Sequence, residues 1–248
     1  MKYTYKQILD SLPVKKNSNS SWWVKLWVRK VSFLFTFFFI NFGFSPNSVS
    51  ILSIFVALFS FGCFIVPETW SLVVAIIGIN LWLILDCVDG NIARCRKQKT
   101  IYGEFIDDIG GYYVVAFVYL TIAIRAYTDG GILFNDSTHW IIVIGAVSCI
   151  SDILARLINK DYGNFSMKRS DYVPTDYTNE SKKSLSYVRR RVGKEIGISG
   201  AFMPLTIVCG VFGVYDLMTL FYCAFNLFAL VSTTVIYIYK ADKYDREH

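Results

Sequence analysis

The chain has 248 residues, 54% of them hydrophobic and 17% aromatic, with a net charge of +6 and a mean hydropathy of +0.43. This is too apolar for an ordinary soluble domain, and little chain remains outside the apolar runs for a separate one. The six cysteines lack CxxC spacing, and His139 and His248 lie far in sequence from the carboxylates at 86–108, which argues against a zinc finger, a disulfide framework or histidine-based catalysis.

The first 20 residues are polar and lack the apolar core of a signal peptide. From about 20 to 43, Trp22, Trp23, Trp27 and Phe33 are interleaved with Lys25, Arg29 and Lys30. That mixture predicts an amphipathic helix lying in the membrane interface, aromatics toward the bilayer and cations at the headgroups. An extra span over 31–44 is the alternative, but it is short and inverts the charge bias of every later loop. Ser45-Pro46-Asn47 then supplies a cap and a first-turn proline.

A span needs about 20 mostly apolar residues. Six such runs follow, at roughly 47–66, 70–93, 104–126, 139–159, 198–214 and 217–239, the third to fifth interrupted by Arg125, Asp152, Arg156 and several glycines. The fold class is therefore an all-α integral membrane protein, a single domain over 1–248 with a six-helix bundle at about 47–239. Lys and Arg crowd alternate connections: the N-terminal segment, the turn with Arg96, Lys97 and Lys99, the loop after the fourth span, and the tail. The opposite connections contain none, which puts both termini on the cytoplasmic side. The positive charge answers to anionic lipid, so nucleic acid need not be invoked.

The second span ends in Asp86-Cys87-Val88-Asp89-Gly90-Asn91-Ile92-Ala93-Arg94, and the third opens with Gly103-Glu104-Phe105-Ile106-Asp107-Asp108-Ile109-Gly110-Gly111. Ionised groups are expensive beside apolar runs and usually have a role. Asp86 and Asp89 share a helix face, and Asp107 can converge with them. Converging carboxylates repel unless a cation neutralises them, and hard oxygen ligands suit Mg2+, Mn2+ or Ca2+. The fourth span ends with Asp152 and Arg156, four apart, which form either a structural ion pair or a substrate contact. The polar stretch from about 160 to 196 ends near Arg189-Arg190-Arg191, a surface anchor or a grip on an anionic substrate. Arg156, Arg189 and Arg191 are the candidates for contact with an acceptor or phosphate.

The spacing Asp86, Asp89, Gly90, Ala93, Arg94, eight residues, Gly103, Asp107 matches seven of eight fixed positions of a longer pattern. In this it resembles the CDP-alcohol phosphotransferase family. The resemblance implies a six-helix bundle, usually a homodimer, with a polar cavity open to the cytoplasm. It implies that Asp86, Asp89 and Asp107 hold divalent metal, Mg2+ or Mn2+, against the diphosphate of a CDP-linked donor. Asp86, Gly90, Ala93, Arg94 and Gly103 would form the nucleotide site. The acceptor would be a lipid or a glycan, including a lipid-linked sugar, and CMP would leave.

The eighth position, an Asp in the family that binds metal and acts as general base, is Gly111. Three readings follow. Asp108, about 60° round the helix from Gly111 and one turn earlier, substitutes as base beside Asp107; the acceptor is already anionic; or the protein binds a CDP-alcohol without turning it over. Outside this class, a cation transporter using the Asp cluster is the competing expectation, although no second acidic set marks a path across the membrane.

Overall fold

The computed structural model describes residues 3–13, 18–98, 100–134, 139–168 and 185–247, with backbone alone at 164–168, 185–187, 190 and 247. Apolar runs in lipid must satisfy their own backbone hydrogen bonds, and among the described residues the regular structure is entirely helical. A short α1 (Tyr5–Asp10) is followed by a π-helical turn (Val24–Val28) leading into α2 (Arg29–Asn41). Then come α3 (Pro46–Ile65), α4 (Thr69–Cys95), α5 (Ile101–Asp129) and α6 (Trp140–Lys168). The chain closes with α7 (Leu185–Ile196), a second π-helical turn (Ile198–Phe202), α8 (Met203–Phe212) and α9 (Tyr215–Glu247). Six stretches are long and apolar enough to cross a membrane, as predicted, α7 and α8 together supplying the fifth.

The predicted caps form. Ser45 is extended and accepts the Ser48 N–H at 3.0 Å with Pro46 in the first turn, and Thr100 accepts the Gly103 N–H at 3.0 Å. The polar stretch after the fourth span differs from the expected loop: α6 runs on to Lys168, and α7 occupies 185–196. A polar helix is stable there partly because Arg191 and Glu195 pair at 2.7 Å, one turn apart. Of the predicted basic residues, Lys2, Lys15, Lys16, Lys99, Arg169, Lys182 and Lys183 lie outside the described residues, as does His248.

Packing follows the rule for lipid, where helices meet through small residues and show large ones outward. On α3, Ser50, Ser53, Ala57 and Ser60 are buried while Phe55 and Phe59 are exposed. This face lies against α4 and α5, α5 continues the bundle to α6, and α6 packs on α9. The approach is close: a Cβ on Gly110 of α5 would meet Ile54 at 3.2 Å. On the turn before α2, on α2 and just after it, Leu26, Leu34, Phe38 and Phe42 are exposed. Arg29 does not stay at the headgroups. It is buried with Ser32 and Thr36 on the side that meets α4, because hydrogen-bonding partners are available there and not in lipid.

At the far end of the bundle the interrupting charges are structural. Arg125, 3% exposed, donates to the carbonyls of Val66 at 2.5 Å and Pro67 at 3.1 Å, closing the C-terminus of α3, and pairs with Asp129. Buried Asp216 accepts the Leu133 N–H at 2.7 Å.

The fifth span is broken at Gly200, whose φ of −111° and ψ of −117° are not helical. The Tyr222 hydroxyl donates to the Ile196 carbonyl at 2.8 Å, satisfying a group next to the break. A Cβ on Gly200 would lie 2.1 Å from the Glu195 carbonyl oxygen, backbone that cannot swing aside. Gly200→Ala is therefore expected to destabilise the fold by about 1–3 kcal/mol, seen as a lower melting temperature in detergent micelles; an unchanged melting curve would contradict this account of the break.

Candidate active site

The last turns of α4, the first turns of α5 and the start of α3 enclose a cavity of about 210 Å3. Five of the predicted residues line it together: Asp89, Gly90, Ala93, Gly103 and Asp107. Ser50 and Glu104 line it too, neither of them singled out from sequence. The absence of side chains at 90 and 103 matters here. A Cβ on Gly90 would touch the Arg94 guanidinium at 3.2 Å, and one on Gly103 would meet Asn47 Oδ1 at 3.0 Å.

Asp89 is the most enclosed of these acids, 7% exposed, and accepts a hydrogen bond from Ser50 Oγ at 2.5 Å. Asp86 and Asp107 are close enough for their charges to act on it. Asp86 is half-buried one turn earlier on α4 and does not line the cavity. Among the described residues no three acids, histidines or cysteines are drawn close enough together to form a closed metal shell. The donor chemistry nonetheless fits a hard divalent cation: carboxylate oxygens alone, with buried Asp89 and Asp107 lining the same cavity.

Arg94 bends back over Gly90, and its Nη2 donates to Asn91 Oδ1 at 2.5 Å. Asn91, fully buried, in turn donates to Thr36 Oγ1 at 3.0 Å and Ser32 Oγ at 3.3 Å on α2. Helix α2 thus holds the residue that orients Arg94.

Asp108 stands apart. It is exposed on the flank facing α6, where Lys160 Nζ donates to its carboxylate at 2.8 Å, and it does not line the cavity. Asp107 and Gly111, four apart, share a face. A Cβ at Gly111 would meet nothing within 4 Å.

A second, larger cavity of about 620 Å3 lies between α6, α7 and α9. Arg156 and Arg189 both line it, with Lys194, which sequence reasoning passed over as one more basic residue. Arg156 pairs with Asp152 at 2.9 Å, so the predicted ion pair exists and also borders the cavity. Arg189 donates to Thr233, while its Nε is buried without a partner. Phe225, Phe228 and Ile236 give the same cavity an apolar wall. Arg191 is turned away toward Glu195 and takes no part in the lining.

Oxygen-rich carboxylates lining a cavity at the ends of two membrane-length helices suit a membrane protein that handles a hard cation and a charged ligand. Residues 44–212 match the CDP-alcohol phosphatidyltransferase family, and the chain belongs to it. Members take a CDP-linked donor and an alcohol acceptor in the membrane and generally depend on a divalent metal, which supports transferase activity here in general. Comparison with curated proteins gives no match.

The Ser50–Asp89 bond is the testable hinge of the site. Ser50→Ala should cost about 1 kcal/mol, the usual net worth of a hydrogen bond. In a double-mutant cycle on melting in detergent, that cost should vanish in an Asp89→Leu background, which offers Ser50 Oγ no acceptor.

Proposed function

We propose that the protein transfers a substituted phosphate group, from a phospho-alcohol or phosphonate, out of a CDP-linked donor to an acceptor, with release of CMP. The gathering of Asp89, Gly90, Ala93, Gly103 and Asp107 around one cavity carries this reading. Asp86, Asp89 and Asp107 would hold Mg2+ or Mn2+, whose bound charge offsets that developing on the phosphates. Gly90, Ala93 and Gly103 leave room for the nucleotide, and Arg94 supplies a cation for phosphate.

In the reaction an acceptor oxygen attacks the phosphorus distal to cytidine. The bond to the bridging oxygen breaks, and CMP leaves with the electron pair. An acceptor hydroxyl must also lose its proton. With Asp108 tied to Lys160, Asp107 is the better placed of the two candidate bases. The cavity with Arg156, Arg189 and Lys194 would take the acceptor, its apolar wall suiting a lipid or lipid-linked sugar and its cations an anionic group. An acceptor that attacks through an anionic oxygen needs no base, which accords with glycine at 111. The site faces the cytoplasm on the distribution of Lys and Arg, and the working form is a homodimer by analogy with the family.

Purified protein in lipid, given Mg2+ and a panel of CDP-alcohols and acceptors, should release CMP, and chelation should stop it. Asp86→Ala, Asp89→Ala and Asp107→Ala should each lower turnover at least a hundredfold, in line with losing transition-state charge stabilisation. Asp108→Asn should leave kcat within about threefold of wild type, since an exposed ion pair is worth under about 1 kcal/mol. Metal-dependent CDP binding without CMP release from any acceptor would favour a binding protein over an enzyme. Uptake of divalent cations into vesicles that is lost in Asp89→Ala would favour a transporter.

Replacing Arg156 or Arg189 by Gln should raise the acceptor KM roughly tenfold while leaving the donor KM unchanged. An equal effect on both substrates would remove the second cavity from the scheme.

A further inference from the structure

Arg29 is the anomaly of the interfacial helix. It is 7% exposed, yet among the described residues no carboxylate pairs with it. Its Nη2 donates to Ser20 Oγ at 2.9 Å, and its Nε is buried without a partner. A buried guanidinium left without a counter-ion is costly, and its persistence in a membrane protein points to a use.

What it faces narrows that use. Arg94 donates to Asn91, and Asn91 donates to Ser32, one turn along α2 from Arg29. The two guanidiniums thus belong to facing helices held together by Asn91, and each keeps a buried Nε without a partner. Asp89 also acts on Arg94, but that carboxylate already answers to Ser50 and to the neighbouring acids. The Arg94 guanidinium lies over Gly90, a wall of the small cavity. An anion bound to the two guanidiniums would thus sit at the border of that cavity. Phosphate is the chemistry two guanidiniums recognise best, through paired N–H donors to its oxygens.

We infer that Arg29 and Arg94 together grip a phosphate of the CDP-linked donor, so that the interfacial helix forms part of the donor site. The inference rests on reading the cavity at Asp89 as that site. A phospholipid headgroup offers the same phosphate chemistry at this depth, and the test separates the two sources.

Wild type, Arg29→Gln, Arg29→Lys and Arg94→Gln are reconstituted with Mg2+ in vesicles of phosphatidylcholine alone and of phosphatidylcholine mixed with phosphatidylglycerol. Affinities for CDP and for cytidine are then measured. Arg29→Gln should weaken CDP roughly tenfold, and cytidine, which has no phosphate, not at all. Arg29→Lys, which keeps the charge but not the fork, should fall between wild type and Gln. It carries the test alone if the Gln variant fails to fold. The loss should be the same in both lipids. Equal losses for CDP and cytidine, or none in either Arg29 variant, would overturn the inference. So would a loss that follows the anionic lipid, which would give the pair to a headgroup. If Arg94→Gln weakens CDP while the Arg29 variants do not, the donor reading stands and only the role of Arg29 falls. Wild type that binds neither CDP nor cytidine defeats both.

Discussion

A carboxylate enclosed by apolar helices sets the terms for this molecule. Asp89 is nearly sealed from solvent and shares its surroundings with two more acids. Such an arrangement survives only if the surrounding chain supplies polar partners at close range. Ser50 does so from α3, and it can because the buried face of that helix is built of serine and alanine, not leucine. Gly110 admits Ile54 of α3 into close contact, while Gly90 and Gly103 clear the space around the acid. The small-residue seams and the caps at Ser45 and Thr100 thus serve one end: bringing three helix termini near enough to share a charged cavity.

The spans and the acidic motif were legible because both depend on local spacing. Apolar length is written directly in the chain, and three- and four-residue intervals place Asp86 beside Asp89 and Asp107 beside position 111. Ser50 was not legible, because nothing in α3 marks which serine will meet a residue 39 positions later. Asp108 illustrates the same limit. Its helical angle sets it near the face of Gly111, but Lys160, 52 residues away, draws the carboxylate to the other flank. The polar stretch before the fifth span looked like a loop because composition alone cannot report a polar surface helix held by pairs such as Arg191–Glu195. Arg29 was legible as a cation but not as a buried one, since nothing in the local spacing marks Ser20, nine positions earlier, as its partner.

Position 111 gains meaning from the second cavity. Helix α5 carries Asp107 at the small cavity and Tyr119 at the large one, so its face between them separates the proposed donor and acceptor sides. A carboxylate at 111 would add negative charge to that face. Glycine leaves the space open, and the larger cavity is edged by Arg156, Arg189 and Lys194. In the proposed scheme, repulsion between an anionic acceptor and the acidic cluster would be reduced by the absence of that carboxylate. On that scheme the glycine at 111 and the basic cavity belong to one adjustment of charge.

The two ends of the bundle use buried charge differently. At the far end Arg125 spends its donors on the Val66 and Pro67 carbonyls and on Asp129, which closes one helix and ties another to it. At the Asp-motif end, Arg29, Arg94 and Arg189 each keep a buried Nε that no described group accepts. A guanidinium fixed for structure alone tends to satisfy all its donors, because each one left over in a dry site costs free energy. Donors left open on three arginines, with Arg94 over Gly90 at the wall of one cavity and Arg189 in the wall of the other, are the partners that the proposed phosphate contacts call for.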